Sequence, residues 1–133
     1  MNIILFGPPG AGKGTQADNL IKKFNFFKIS TGELLRKEIE NNTRFGKELK
    51  IILNKGLLAP DNIVNTLIDN VLAKKEYHNR LIFDGYPRTL EQARNLESSL
   101  NNCNQKLHCV FTLKDKKEII TKRILSRRIC SKC

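Results

Sequence analysis

The sequence has no long apolar run. None of its 133 residues lies in a stretch close to the roughly 20 consecutive apolar residues that a membrane-spanning helix requires. The apolar start, Ile3 to Phe6, runs directly into glycine and proline, without a segment of the kind cleaved from exported proteins. Without such a signal, the four cysteines are expected to be free thiols or metal ligands rather than disulfides. These absences exclude a membrane protein and predict a soluble, cytoplasmic one.

Proline is scarce too, and there is no internal repeat, low-complexity tract or Gly/Ser-rich linker. The chain has only four prolines, whereas 40% of its residues are hydrophobic. A chain of this length and composition can bury a substantial core. The composition therefore excludes a disordered tail and predicts one folded domain.

Acidic residues are rare near the end of the chain. The last twenty residues, 114–133, hold eight Lys or Arg and two acids, which is +6 of the formal charge of +11. Such a cluster attracts phosphate on a nucleotide, a nucleic acid or a membrane surface, although a solvated helix face has the same composition. Since no interleaved aromatic residues or nucleic-acid motif accompany it, nucleic acid is an unlikely partner.

Short apolar runs alternate with segments of helical periodicity. Strands are predicted at Asn2 to Phe6, Phe27 to Ile29, Leu81 to Phe83 and Leu107 to Leu113. Helices are predicted after the first glycine loop, from the capping box Ser30 to Glu33, over Phe45 to Leu53, and from Asp61, Thr89 and Asp115. In the helix capped by Asp61, a core-facing apolar stripe contains Ile63, Val64, Leu67, Ile68, Val71 and Leu72. The alternation predicts an α/β fold with a parallel sheet.

The stretch GPPGAGKGT, Gly7 to Thr15, has the spacing of a phosphate-binding P-loop and lies between a predicted strand and a predicted helix. Backbone amides in such a loop bind phosphate oxygens at the positive end of the helix, and Lys13 adds a cation for the outer phosphates. The usual motif continues with Ser or Thr, whereas Lys13 is followed by Gly14 and only then Thr15. We therefore do not expect a hydroxyl group here to ligate magnesium directly.

Together, GPPGAGKGTQ, ISTGELLR and DGYPRTLEQ resemble the adenylate kinases in order and spacing, over the whole chain. The resemblance implies a three-layer α/β/α fold whose parallel sheet has about four of five strands present. It implies a core with the P-loop at 1–29, an AMP-binding helical insertion at 30–60, a further core segment at 61–126 and the start of a lid at 127–133. The implied reaction is ATP plus AMP to two ADP, with Mg²⁺ accompanying ATP.

The resemblance also implies roles for individual residues. The ATP site would comprise Gly10, Ala11, Gly12, Lys13, Gly14, Thr15, Arg123 and Arg127. The AMP site would comprise Thr31, Arg36, Leu57, Leu58, Ala59, Gly85, Arg88 and Gln92. The transferred phosphoryl group would be held by Lys13, Arg88, Arg123 and Arg127. Two alternatives stay open: Gln92 completes a capping box with Thr89, and Thr31 is an ordinary residue of a first helical turn.

Two of the predicted elements carry charged residues that are candidates for the functional site. Asp84 ends a strand at the carboxyl edge of the sheet, where ligands bind in open α/β folds, and a carboxylate there can hold magnesium through water. The alternative is that Asp84 caps the next loop. Arg123 and Arg127 are four residues apart and share a face of one predicted helix, either as the ATP clamp of the family or as solvated surface charge.

The last residues, RRICSKC, resemble the start of the long lid that some adenylate kinases hold with zinc. Cys130 and Cys133 resemble the first of two cysteine pairs. A structural zinc needs four ligands, and Cys103 and Cys109 are predicted far away beside the fourth strand. The chain thus holds half a zinc site, and Zn²⁺ is expected only in a full-length lid.

By the same resemblance, more lid, two further arginines, a last strand and closing helices would follow. The chain is therefore expected to be a shortened adenylate kinase that is impaired or inactive. An unpaired fourth strand and an uncovered apolar face would lower its stability or cause self-association, whereas the full-length parent is expected to be a monomer.

Two other functions remain as alternatives. A UMP/CMP kinase shares the P-loop and the GYPR-like stretch but resembles SAGELLR and lacks the following glutamine, so Thr31 and Gln92 favour AMP. The other alternative is a fragment that binds nucleotide without catalysis, because the lid arginines of the family are absent from this sequence.

Overall fold

The computed structural model describes residues 1–128 of the chain. The strands are β1 (Asn2–Phe6), β2 (Phe27–Ser30), β3 (Leu81–Asp84) and β4 (Leu107–Thr112). The helices are α1 (Lys13–Phe24), α2 (Thr31–Glu40), α3 (Arg44–Asn54), α4 (Asp61–Leu72), α5 (Leu90–Asn102) and α6 (Lys117–Ser126), with a 3₁₀ turn at Lys75–Tyr77. The four strands and six helices predicted from periodicity are therefore confirmed within this part of the chain.

The sheet is parallel throughout, in the order β2-β3-β1-β4. Side chains alternate along β1: Ile4 packs with α4 and α5 on one face, whereas Ile3 and Leu5 pack with Ala17 of α1 on the other. Helices on both faces of a parallel sheet confirm the α/β fold. At the carboxyl edge, Asp84 pairs in register with Leu5 on one side and Ser30 on the other.

The apolar stripe predicted on α4 forms much of the core. All its members are buried except Val71, which is half-buried. Val71 packs against the core cluster that contains Val64, Ile68 and Leu72. Two of them, Ile63 and Leu67, form a second cluster with Leu49 of α3. The hairpin of α2 and α3 is therefore attached to the core through α4.

Two predicted helix caps are wrong. The N-cap of α4 is Pro60, and the Asp61 carboxylate instead accepts hydrogen bonds from α5 and the residue before it. Ser30 is the N-cap of α2, but its side chain makes no capping hydrogen bond. By contrast, the predicted cap at Thr89 is confirmed, because its side chain accepts a hydrogen bond from Gln92 N.

The other two helix starts differ slightly from the prediction. Helix α3 begins at Arg44, because Thr43 caps it by accepting from Gly46 N. Helix α6 begins at Lys117 rather than Asp115, whose carboxylate bonds to Lys116 N and to Arg123 instead.

Strand β4 lies at the edge of the sheet and, among residues 1–128, pairs only with β1. Its Val110 and Phe111 are about half exposed. Beside it, a groove of about 620 Å³ runs between β4 and α1 and is lined by Leu20, Phe24 and Leu113 among others. The expected unpaired edge and uncovered apolar face are therefore present in the described chain. No helix among these residues is both long enough and apolar enough to span a membrane.

Candidate functional site

The glycine loop predicted to bind phosphate connects β1 directly to α1. Gly7 has a φ of +145°, and a Cβ there would lie 2.6 Å from the Leu113 carbonyl oxygen, so only glycine fits this close approach. Gly12 is the N-cap of α1 in the left-handed region and offers no side chain to cap the helix. The first N–H groups of α1 therefore have neither an intrahelical acceptor nor a side-chain cap from Gly12. This is the arrangement that binds anions at a helix N-terminus.

Lys13 lies over this loop. Its Nζ donates hydrogen bonds to the Gly7 carbonyl at 2.8 Å and the Pro8 carbonyl at 3.1 Å. The ammonium group is thus held beside the open amides of the first helical turn. An incoming phosphate would exchange these two carbonyl contacts for a charge-assisted one.

Arg123 of α6 reaches the same loop. Its Nη1 donates to the Gly10 carbonyl at 3.2 Å and to Asp115 Oδ2 at 2.9 Å. Arg127, which was predicted to share a helical face with Arg123, lies outside α6: the helix ends at Ser126 and Arg127 is extended, with φ −62° and ψ 130°. The shared-face prediction is therefore wrong, because the helix ends one residue too early.

A second cluster forms where β3 ends. Thr31 Oγ1 donates to the Gly85 carbonyl at 3.2 Å, and Arg88 Nε donates to the same oxygen at 2.8 Å. Gly85 has a φ of +76°, and a Cβ there would lie 3.1 Å from the Arg88 guanidinium. The structure therefore brings Thr31, at the start of α2, together with Gly85 and Arg88, in the turn after β3.

Gln92 is buried next to this cluster. Its Oε1 accepts from Arg88 N at 2.7 Å, its Nε2 donates to Asp61 Oδ1, and its backbone N–H donates to Thr89 Oγ1 at 3.1 Å. This resembles a capping box, except that the glutamine bonds to the residue before the cap rather than to the cap itself. The capping alternative for Gln92 is therefore realised in a shifted form.

The remaining residues predicted for the AMP site lie on α2 and in the loop after α3. Arg36 is exposed on α2, with its guanidinium beside Gly32. In the loop after α3, Leu57 and Leu58 are 58% and 70% exposed, whereas Ala59 is half-buried against the core. Two adjacent leucines this exposed are available to an apolar ligand surface.

Asp84 is half-buried at the end of β3. Since parallel strands lie about 4.8 Å apart, the ends of β1 and β2 flank it closely on its two sides. Within residues 1–128, no group of three His, Cys, Asp or Glu side chains could hold a metal. A single carboxylate nevertheless fits Mg²⁺, which keeps most of its waters and binds through one or two carboxylates and substrate phosphates.

The cysteines predicted for the half zinc site, Cys130 and Cys133, lie outside the described residues. Cys103, at the end of α5, and Cys109, in β4, are both free thiols.

Sequence reasoning missed two residues that support the second cluster. The sequence patterns indicated only a helix cap at Asp61 and no role for Tyr86 within DGYPRTLEQ. Tyr86 is fully buried, and its hydroxyl lies 3.0 Å from Asn65 Oδ1 and 3.1 Å from the Gln92 carbonyl oxygen, both acceptors. The position of Tyr86 between Gly85 and Pro87 could have indicated a role from the sequence. An aromatic side chain in a glycine-containing turn either packs into the core or contacts a ligand.

Burial, together with the negative charges of Asp69 and Asp61, raises the pKa of Tyr86 to about 12. An unfolded tyrosine titrates near pH ~10. As the pH rises, the folded chain therefore retains the hydroxyl proton of Tyr86 to a higher pH than the unfolded chain. The contribution of this proton to the free energy of unfolding is complete below about pH 10 and is lost as the pH rises towards about 12. We expect Tyr86→Phe to flatten the fall in the free energy of unfolding across this window. Denaturant titrations at several alkaline pH values would measure it, and equal slopes for both chains would contradict the assignment.

Comparison with known proteins agrees with this geometry. A family model described as adenylate kinase matches residues 5–129. Over its whole length, the chain is 50% identical to an adenylate kinase of Pelagibacter ubique, 49% to one of Mycoplasma mycoides subsp. mycoides and 42% to one of Kosmotoga olearia. Each match covers 100% of this chain and 62% of the relative. The family model covers almost the whole chain, so the chain belongs to the adenylate kinase family.

Proposed function

We propose that this chain binds ATP at the glycine loop and AMP at the cluster around Gly85. The observation that carries the proposal is the adjacency of two cationic sites. Lys13 is anchored on the loop after β1, and Arg88 is anchored on the turn after β3, and these strands are hydrogen-bonded neighbours. Two phosphate groups bound there would meet above the carboxyl edge of the sheet, beside Asp84.

Phosphoryl transfer between such phosphates needs little covalent help from the protein. It is accelerated by aligning the two nucleotides and by placing cations around the transferred group. Lys13 and Arg123 would bind the phosphates of ATP with the amides of Gly10 to Thr15, and Arg88 would bind the AMP phosphate. Arg127 is a further candidate for the ATP phosphates.

Asp84 would hold Mg²⁺ through water, and the ion would neutralise charge on the ATP phosphates. The AMP phosphate would also bind Arg36. The AMP base would lie against Leu57, Leu58 and Ala59 in the segment 30–60, with Thr31 and Gly85 at its entrance and Gln92 at its edge.

The reaction of the whole protein would then be ATP plus AMP to two ADP. The proposal concerns the whole protein because this chain spans 62% of the length of the adenylate kinases that it matches. Zinc at Cys130 and Cys133 stays a prediction that depends on a second cysteine pair.

Two further parts of the proposal concern the protein's surroundings. The free thiols of Cys103 and Cys109 support a cytoplasmic, reducing compartment. The outer edge of β4, which has no pairing strand among residues 1–128, and the exposed Val110 and Phe111 support self-association of this chain.

A coupled assay that measures ADP formation from ATP with AMP or UMP tests the function. We expect turnover with AMP to exceed turnover with UMP, and both nucleotides should be titrated by calorimetry in parallel. ATP and AMP binding without turnover would instead support a non-catalytic nucleotide binder, and a preference for UMP would support a pyrimidine kinase. A chain that binds neither ATP nor AMP would overturn the proposal.

A further inference from the structure

The side-chain amide of Gln92 is held by two partners of opposite kind. Its Nε2 donates to Asp61 Oδ1 at 2.5 Å, and its Oε1 accepts from Arg88 N at 2.7 Å. A carboxylate can only accept and a backbone N–H can only donate. The chemistry of the two partners therefore fixes which end of the amide is oxygen and which is nitrogen.

Asp61 is itself held in place. Its second oxygen, Oδ2, accepts from Thr89 Oγ1 at 2.8 Å. It is the first residue of α4, where the positive end of the helix favours a carboxylate. Asp61 thus links the start of α4 to the start of α5, and Gln92 is only 4% exposed between them.

Holding the amide at two points leaves part of its hydrogen-bonding capacity open. An amide nitrogen has two hydrogens and an amide oxygen has two lone pairs, so, counting the partners found within residues 1–128, one N–H and one lone pair of Gln92 remain for a ligand. A ligand edge must offer them an acceptor and a donor in a fixed order. Adenine offers acceptor N1 beside the donor amino group at C6, whereas a 6-oxopurine offers donor N1–H beside acceptor O6, which is the reverse order.

Resting on the proposed function, we infer that Asp61 is a specificity-determining residue. It does not contact the nucleotide but positions the Gln92 amide so that the site selects adenine monophosphate over a 6-oxopurine monophosphate such as IMP. Sites built to hydrogen-bond one edge discriminate strongly against the reversed edge, because buried polar groups are then left unpaired.

Calorimetric titration of the chain with AMP and with IMP tests the inference. Asp61→Ala removes the acceptor, and we expect the ratio of the IMP to the AMP dissociation constant to fall about tenfold, the worth of one hydrogen bond to a charged group. Asp61→Asn retains an acceptor oxygen and should keep most of that ratio. The matched control is Asp69→Ala, which removes another α4 carboxylate that accepts from α5, at Ser99 Oγ, and should leave the ratio unchanged.

A second measurement uses the unaltered chain, so that it does not depend on whether a variant folds. Of the two side-chain amide protons of Gln92, AMP should shift the NMR resonance of the open one far more than that of the one bonded to Asp61. AMP binding with an unchanged ratio in Asp61→Ala, equal losses in the alanine and asparagine variants, or equal responses of the two protons would overturn the inference alone. If the unaltered chain did not bind AMP, the proposed function would fail together with it.

Discussion

Replacing Lys13 with alanine should weaken ATP binding by roughly 10- to 100-fold, the worth of one or two charge-assisted hydrogen bonds. The Lys13 ammonium is held over the loop by the carbonyls of Gly7 and Pro8, where it can exchange both for phosphate oxygens. The loop amides alone would still attract the anion, so some binding should remain. Calorimetric titration with ATP would measure the change.

The control is Lys22→Ala, which removes the same charge from the exposed last turn of the same helix. It should change ATP affinity only slightly, because exposed charges about a Debye length apart are largely screened by salt. Thermal unfolding should be similar for both variants. If they bound ATP equally well, the role of Lys13 would be refuted.

Gly46→Ala should destabilise the chain by about 3 kcal/mol or more, the upper range for overpacking a close contact. A Cβ at this position would overlap the Glu38 carbonyl oxygen and lie 2.5 Å from its carbonyl carbon. Both obstacles are backbone atoms of α2, so α2 and α3 would have to separate. For a chain of this size, the melting temperature should fall by roughly 10 °C.

Gly32→Ala is the matched control in the same hairpin. A Cβ there would meet only the flexible end of the Arg36 side chain, at 3.4 Å. Since alanine is the better helix former, this variant should be as stable as the unaltered chain or slightly more so. Equal melting temperatures for Gly46→Ala and Gly32→Ala would contradict the packing described for α2 and α3.

Local patterns predicted much of the fold. The short apolar run of Asn2 to Phe6 correctly predicted β1, and the apolar stripe on α4 correctly identified the face that packs into the core. The glycine spacing around Lys13 predicted the loop between β1 and α1, because the conformation of that loop is encoded by the residues within it. Thr89 was correctly identified as a cap for the same reason, since its partner is only three residues away.

The errors arise where distant residues compete for a side chain. Asp61 satisfies the local rule for a cap, but its carboxylate accepts hydrogen bonds from Thr89 and Gln92, about thirty residues later, and the N-cap position is occupied by Pro60. Asp115 was expected to begin a helix, but it is bonded to Arg123. Such choices depend on which elements the sheet brings together, and neither periodicity nor capping rules contain that information.

The central claim is that the amides between β1 and α1 bind the phosphates of ATP. Its most direct test is an NMR titration of the ¹⁵N-labelled chain with ATP, followed residue by residue. We predict that the largest amide shift changes lie at Gly10 to Thr15. No saturable change at these amides would contradict it.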